Sequence, residues 1–251
     1  GDHVGLYLYN CNEYLEGTLA CFKIRAVPIN INYRYVADEL VYIFDNADIV
    51  ACLHGREFIP ELDKVREHLP QLKTFISVDD DTREPLEKIG AIEYEAALQG
   101  NSVARDFDKR SGDDLFIIYT GGTTGMPKGV MWPHEELFYA GLGGMAPQHP
   151  DGPITAPHQV ADRIDPNFQP VCAALAPLMH GASWWAACAS LLAGRTTVLY
   201  PGRSFKPEEI WPLISAEKVN IIAIVGDAMA IPLHDTLKAN PERWDLSSLF
   251  L

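Results

Sequence analysis

Apolar residues early in the chain fall in short runs separated by amphipathic stretches. Val4-Gly5-Leu6-Tyr7-Leu8-Tyr9 is a continuous run of strand length. Asn10 stands three residues before Glu13, the spacing of a capping box. Leu15, Leu19 and Phe22 then recur at helical intervals and give the next helix one apolar stripe. Ala26-Val27-Pro28-Ile29-Asn30 is a second extended segment. Residues 38–46 predict a short helix with Leu40, Ile43 and Phe44 inward, and residues 48–53 a third strand. Residues 58–69 read as a helix, and 74–78 as a strand ending in the acidic turn Asp79-Asp80-Asp81. Such alternation predicts a parallel sheet with helices on both faces. Residues 80–113 are more polar and read as a connection between two sheets.

The pattern resumes with the apolar run Leu115-Phe116-Ile117-Ile118-Tyr119, a Gly/Thr loop, and Val130-Met131-Trp132. Pro133 suits a helix start, and Glu135 and Glu136 suit the positive end of its dipole. Residues 146–170 are rich in Pro, Asp and His and lack periodicity, as functional or disordered loops do. Strands are predicted at 171–176, 197–200 and 220–225, with helices at 181–193, 207–217 and 227–238. The expected fold class is α/β, with two mostly parallel sheets flanked by helices. Residues 1–110 form a first subdomain, and 111–251 a second that carries the Gly/Thr loop.

Composition narrows the function classes. The chain has 251 residues, 47% of them hydrophobic, enough for a sizeable core. Its formal charge of −14 disfavours nucleic acid and anionic membranes, which need a basic footprint. Five cysteines, an odd number without a Cys-x-x-Cys pair, argue against a disulfide framework or zinc ribbon and fit a reducing, cytoplasmic setting. No apolar run is long enough for a membrane-spanning segment. Gly1 is not an initiator methionine, and Leu249-Phe250-Leu251 stops within an apolar run, so the chain is expected to be cut from something longer.

The chemistry concentrates in Thr120-Gly121-Gly122-Thr123-Thr124-Gly125-Met126-Pro127-Lys128-Gly129. An apolar strand delivers the chain to one point, and Gly121, Gly122 and Gly125 allow close backbone approach. Successive N–H groups in such a loop can form an anion-binding nest. Thr120, Thr123 and Thr124 add hydroxyl donors, and Lys128 adds a mobile positive charge for a pyrophosphate leaving group. Pro127 before the lysine and Gly129 after it exclude the P-loop pattern, and Gly-x-Gly-x-x-Gly is absent.

These ten residues resemble the signature of the adenylate-forming superfamily: acyl- and aryl-CoA synthetases, adenylation domains of peptide synthetases, and beetle luciferases. Gly121 stands where many members carry serine, which removes one hydroxyl donor and leaves the backbone nest. Gly1-Asp2-His3-Val4 through Asn10 and Tyr14, then Ala26 to Asn30 with Tyr33-Arg34, resemble the opening of a fatty acyl-CoA synthetase. Ala176-Pro177-Leu178-Met179-His180-Gly181 resembles the second core motif, whose histidine lies near the acyl pocket. The resemblance spans essentially the whole chain.

It implies a two-step reaction in which a fatty acid forms an acyl-adenylate from ATP and then a thioester with CoA. Lys128, Thr120, Thr123 and Thr124 would be catalytic. With Gly121, Gly122 and Gly125 they would grip the β- and γ-phosphates, Mg2+ sharing the charge. His180, Trp184 and Gly226 would contact the acid, and no residue is assigned to the metal. The adenine-packing segment, the Thr-Glu motif and the small C-terminal domain with its catalytic lysine are expected beyond this chain. The isolated chain is therefore expected to have little or no ligase activity. Two rivals stay open: an adenylation domain that loads a carrier protein, and a non-catalytic nucleotide-binding module.

Other features have plain readings. His180 and Trp184 also fit a helix-end histidine beside a packed aromatic pair. Trp185 occupies the last glycine position of a nucleophile elbow, against a serine hydrolase. His149 and His158 match no zinc spacing. Asp79 to Asp81 read as a solvated turn. Gly226-Asp227 fits either a helix cap or a ligand site at a strand end.

Overall fold

Strand β1 (His3–Tyr7) lies at the centre of a parallel sheet, with β2 (Val27–Asn30) on one side and β3 (Ile49–Gly55) on the other. The computed structural model describes residues 1–121, 125–144 and 150–250. Two compact units divide the chain between Glu135 and Glu136.

In the first unit, α1 (Asn12–Lys23) follows β1, α2 (Ala37–Asn46) follows β2, and α3 (Ile59–Val65) follows β3. Strand β4 (Thr74–Val78), the two-residue β5 (Ile92–Glu93) and α4 (Tyr94–Leu98) come next, then β6 (Leu115–Thr120) and β7 (Lys128–Pro133). The seven-stranded order is β5-β4-β3-β1-β2-β6-β7, parallel except for the β6–β7 pair. One core gathers Ile29, Ile43, Phe44, Ile49, Ile59 and Leu62, all fully buried. Helix α1 comes so close to the sheet that a Cβ on Gly17 would sit 2.5 Å from Leu53 Cδ2.

Several expectations change here. Helix α1 starts at Asn12 with extended Cys11 as its N-cap, so Asn10 and Glu13 do not make the capping box that opens it. Its stripe keeps Leu15 and Phe22 buried, but Leu19 is exposed. The predicted helix at 58–69 is a short α3 between two 3-10 turns. The polar stretch 80–113 contributes β5 to the sheet's edge. Strand β6 pairs with β2, Ile117 opposite Ile29, and so belongs to the first sheet. The compact units thus part well after residue 110, because the strand that leads into the Gly/Thr loop finds its partner in β2.

His54 on β3 lies between Tyr7 and Ser77 in register and is fully buried. Its Nδ1 is 2.8 Å from the Gly55 carbonyl, so that nitrogen carries the proton. Burial pushes the imidazole down to about 4, against the weaker opposite pull of that carbonyl and Asp80.

In the second unit, α6 (Gln159–Asp162) precedes a three-stranded parallel sheet, order β10-β8-β9. The preceding helix, α5 (His134–Gly141), spans the division between the units. The strands are β8 (Cys172–Ala174), β9 (Thr197–Leu199) and β10 (Ile221–Ala223). Helix α7 (Gly181–Leu192) packs along β8 and β9. Helices α8 (Pro207–Ala216) and α9 (Asp227–Ala239) share a core with Ala173, Tyr200 and Val219. The Trp211 indole N–H donates to the Leu233 carbonyl at 3.1 Å and ties α8 to α9. Two mostly parallel sheets flanked by helices are therefore present as expected. Among the described residues no helix is long and apolar enough to cross a membrane.

Candidate functional site

Burial falls along β6 toward its end: Phe116, Ile117 and Ile118 are buried, Tyr119 half-buried, Thr120 exposed. Strand β7 returns antiparallel, with Lys128 opposite Thr120 and Gly129 opposite Tyr119. The first and last-but-one residues of the signature, Thr120 and Lys128, are thus partners across an antiparallel ladder. Lys128, Thr120, Gly121 and Gly125 are all exposed. Gly122, Thr123 and Thr124 lie outside the described residues.

Three side chains from outside the signature hold its two ends. Asn30, at the end of β2, accepts the Tyr119 N–H at 2.6 Å and donates to the Tyr119 carbonyl at 3.0 Å. The Tyr42 hydroxyl donates to the Pro127 carbonyl at 2.9 Å. The Tyr119 hydroxyl donates to Asn46 Oδ1 at 2.7 Å. Gly129 lies so near the Tyr119 ring that a Cβ there would be 2.9 Å from both Tyr119 Cε2 and Ile117 Cγ2. By contrast, a Cβ on Gly121 or Gly125 would meet nothing within 4 Å among the described residues. Crowding therefore explains Gly129 but not the other two, whose backbone is left open.

The second group of expected residues surrounds α7. His180 is the N-cap of that helix and is exposed, its N–H donating to the Pro177 carbonyl at 3.0 Å. The Ser183 hydroxyl donates to the Ala176 carbonyl at 2.6 Å and fixes the turn from β8. Trp184, one turn further along the helix, is only 1% exposed. Gly226 has φ 66° and is the N-cap of α9, so Asp227 is the first helical residue rather than the cap. Only glycine takes that backbone angle without strain.

A cavity of about 220 Å3 lies beside α7, its lining including Ala174, Ala186, Ala189, Ser190, Arg195 and Thr197. It exists because small residues face one another across helix and sheet. The Ser190 and Thr197 hydroxyls are buried and make no hydrogen bond among the described residues. No group of three His, Cys, Asp or Glu side chains among the described residues could hold a metal. Asp80 instead closes its own turn, accepting the Glu57 N–H at 2.7 Å and the Thr82 hydroxyl at 2.6 Å. His158 is the N-cap of α6, and His149 lies outside the described residues.

The family model described as AMP-binding enzyme matches residues 1–250. The chain belongs to the AMP-binding enzyme family. It is 44% identical over 254 aligned residues to a 3-oxocholest-4-en-26-oate–CoA ligase of Rhodococcus rhodochrous, matching all of this chain and 45% of that protein. It is 40% identical over 253 residues to a medium/long-chain-fatty-acid–CoA/3-oxocholest-4-en-26-oate–CoA ligase of Mycolicibacterium smegmatis, again with all of this chain and 45% of the relative. The chain thus spans about 45% of the length of the curated relatives it matches. An anthranilate CoA ligase bound to anthranoyl-AMP superposes with a TM-score of 0.76 at 21% identity, over 99% of this chain and 44% of the other. The inhibitor-bound N-terminal domain of FACL13 from Mycobacterium tuberculosis gives 0.72 at 24%, over 99% and 55%. Both likenesses show the fold.

In this AMP-binding chain, sequence reasoning located the loop but missed what holds it. Asn30 carries one signal: it is the polar residue that ends an otherwise apolar strand segment. Tyr42 carries none, since it reaches Pro127 across 85 residues of chain. The cavity was foreshadowed only by the small residues Ala186-Ala187-Cys188-Ala189-Ser190 on an apolar helix.

Proposed function

We propose that this chain is the nucleotide- and acid-binding portion of an AMP-forming acid:CoA ligase. In the first step a carboxylate oxygen of the acid attacks the α-phosphorus of ATP, and pyrophosphate leaves the acyl-adenylate. In the second, the CoA thiol attacks the acyl carbonyl and AMP leaves the thioester. The observation that carries this reading is the seating of the signature. Lys128 stands exposed opposite Thr120, and the residues beside each are fixed to β2 and α2. A cation and donors held in place before reaction stabilise the charge that grows on departing pyrophosphate. Gly122, Thr123 and Thr124 complete the grip in this proposal.

The acid is a medium- or long-chain fatty acid. One relative is named for such acids, and the cavity beside α7 supports an apolar chain running along that helix, away from a carboxylate near His180 and Gly226. Trp184 would shape that path from the core. A steroid side-chain acid is the second reading, favoured by the 44%-identical relative, which is named for one alone. Magnesium would accompany ATP. No group of three His, Cys, Asp or Glu side chains among the described residues gathers to hold it. A cytoplasmic setting belongs to the same reading, supported by five free cysteines.

The test is ATP–pyrophosphate exchange by the whole protein, run with medium- and long-chain fatty acids and with 3-oxocholest-4-en-26-oate, followed by transfer to CoA or to a carrier protein. Acid-dependent exchange and an acyl-CoA product are expected. Absence of exchange with every acid sinks the ligase reading, and transfer to a carrier protein alone replaces it with a loading domain.

A further inference from the structure

We propose that Tyr42 and Asn46 are positioning residues for ATP: from one face of α2 they hold both rims of the phosphate loop and set the separation at which Thr120 and Lys128 meet the phosphates. This rests on the ligase reading for its reaction, but its geometry stands apart from it.

Tyr42 and Asn46 are four residues apart on α2, so their side chains lie on the same face, one turn above the other. Tyr42 bonds to Pro127, the residue before Lys128. Asn46 bonds to Tyr119, the residue before Thr120. Thr120 and Lys128 are partners in the ladder, so the two bonds flank that rung: one holds the β6 arm a residue before it, away from the turn, and the other holds the β7 arm a residue nearer the turn. Pro127 has no N–H, and its carbonyl is its one hydrogen-bonding group. The residue is buried, and the Tyr42 hydroxyl supplies that carbonyl with a partner. On the other arm the Tyr119 ring is caught between the Gly129 backbone and Asn46. A shift of either arm along the ladder would break a bond to α2. Tyr42 acts through the Pro127 carbonyl and Asn46 through the Tyr119 hydroxyl, each one residue away from Lys128 or Thr120.

The test uses the whole protein with Tyr42→Phe, which removes the hydroxyl and keeps the ring, and Asn46→Ala, at an exposed position. ATP–pyrophosphate exchange gives KM for ATP and for the acid, calorimetry gives Kd for ATP, and thermal melting reports folding. Tyr42→Phe is expected to raise KM and Kd for ATP by about three- to tenfold, the net worth of one hydrogen bond, with KM for the acid unchanged and the melting temperature lowered by no more than a few degrees for the Pro127 carbonyl left without its partner. Asn46→Ala shifts the same constants in the same direction. A merely structural role predicts a lower melting temperature with unchanged ATP constants in the folded enzyme. That result, or unchanged ATP constants in both variants, overturns the proposal. If the unaltered protein binds ATP but adenylates no acid, the ligase reading falls while the Kd ratio still decides this one. If it binds no ATP, both fall.

Discussion

Asn30 and Tyr119 are joined through a single side-chain amide, which accepts the Tyr119 N–H at 2.6 Å and donates to the Tyr119 carbonyl at 3.0 Å. The amide supplies the donor and acceptor of one further rung where β2 ends and β6 continues. Asn30→Asp loses the donor and sets a carboxylate against a carbonyl. A loss of about 1–3 kcal/mol is expected for a buried group left unsatisfied, with faster hydrogen exchange at Tyr119. Denaturant unfolding and amide exchange check both. Unchanged exchange at Tyr119 would show that the backbone ladder suffices.

Lys128→Ala is expected to slow adenylation by about 100-fold, the scale for losing one preorganised stabilising group. The side chain is exposed, so the melting temperature should stay where it was. Single-turnover formation of acyl-adenylate by the whole protein measures the rate. Unaltered kinetics would reduce Lys128 to a loop charge.

Gly129 and Gly121 should respond in opposite ways. Gly129→Ala places a Cβ 2.9 Å from Ile117 Cγ2 and Tyr119 Cε2, an overpacking expected to destabilise by about 1–3 kcal/mol. Gly121→Ser meets nothing among the described residues and should leave stability within about 0.5 kcal/mol. Thermal unfolding of the two variants side by side checks the contrast.

His54 should make stability depend on pH. The folded ring stays neutral down to about 4, whereas the unfolded ring protonates near its ordinary 6.5. Between those values the unfolded chain binds the extra proton, so stability is full above the window and falls as pH drops through it. The loss approaches about 3 kcal/mol near the lower end. Protonation would also give the buried Nε2 a hydrogen with no partner among the described residues. His54→Gln should flatten the fall in melting temperature between neutral pH and about pH 5. Parallel curves for the two proteins would point to another group.

The sheets were legible because parallel strands buried on both faces read as unbroken apolar runs, as Val4 to Tyr9 and Leu115 to Tyr119 do. Strand β5 escaped notice because two residues carry no period. The membership of β6 was also hidden, since which strand it pairs with depends on Asn30 and Ile29, distant in sequence. The signature drew attention through residue types alone, the glycines, threonines and lysine of 120–129. The burial of Trp184 was not legible, because an aromatic near a helix start serves a pocket wall or a core equally well.

The antiparallel return of β7 also bears on the order in which the site assembles. Joining β6 to β7 closes only a short stretch of chain, a small entropic demand. Seating the hairpin on β2 and α2 requires partners 73 to 89 residues away. Local closure costs less chain entropy than such distant pairing, so the hairpin is expected to close first and to gain its fixed orientation only on docking, an order that pulse-labelled hydrogen exchange during refolding would reveal. Competence for phosphate would then arise late, as a property of docking rather than of the loop's own sequence.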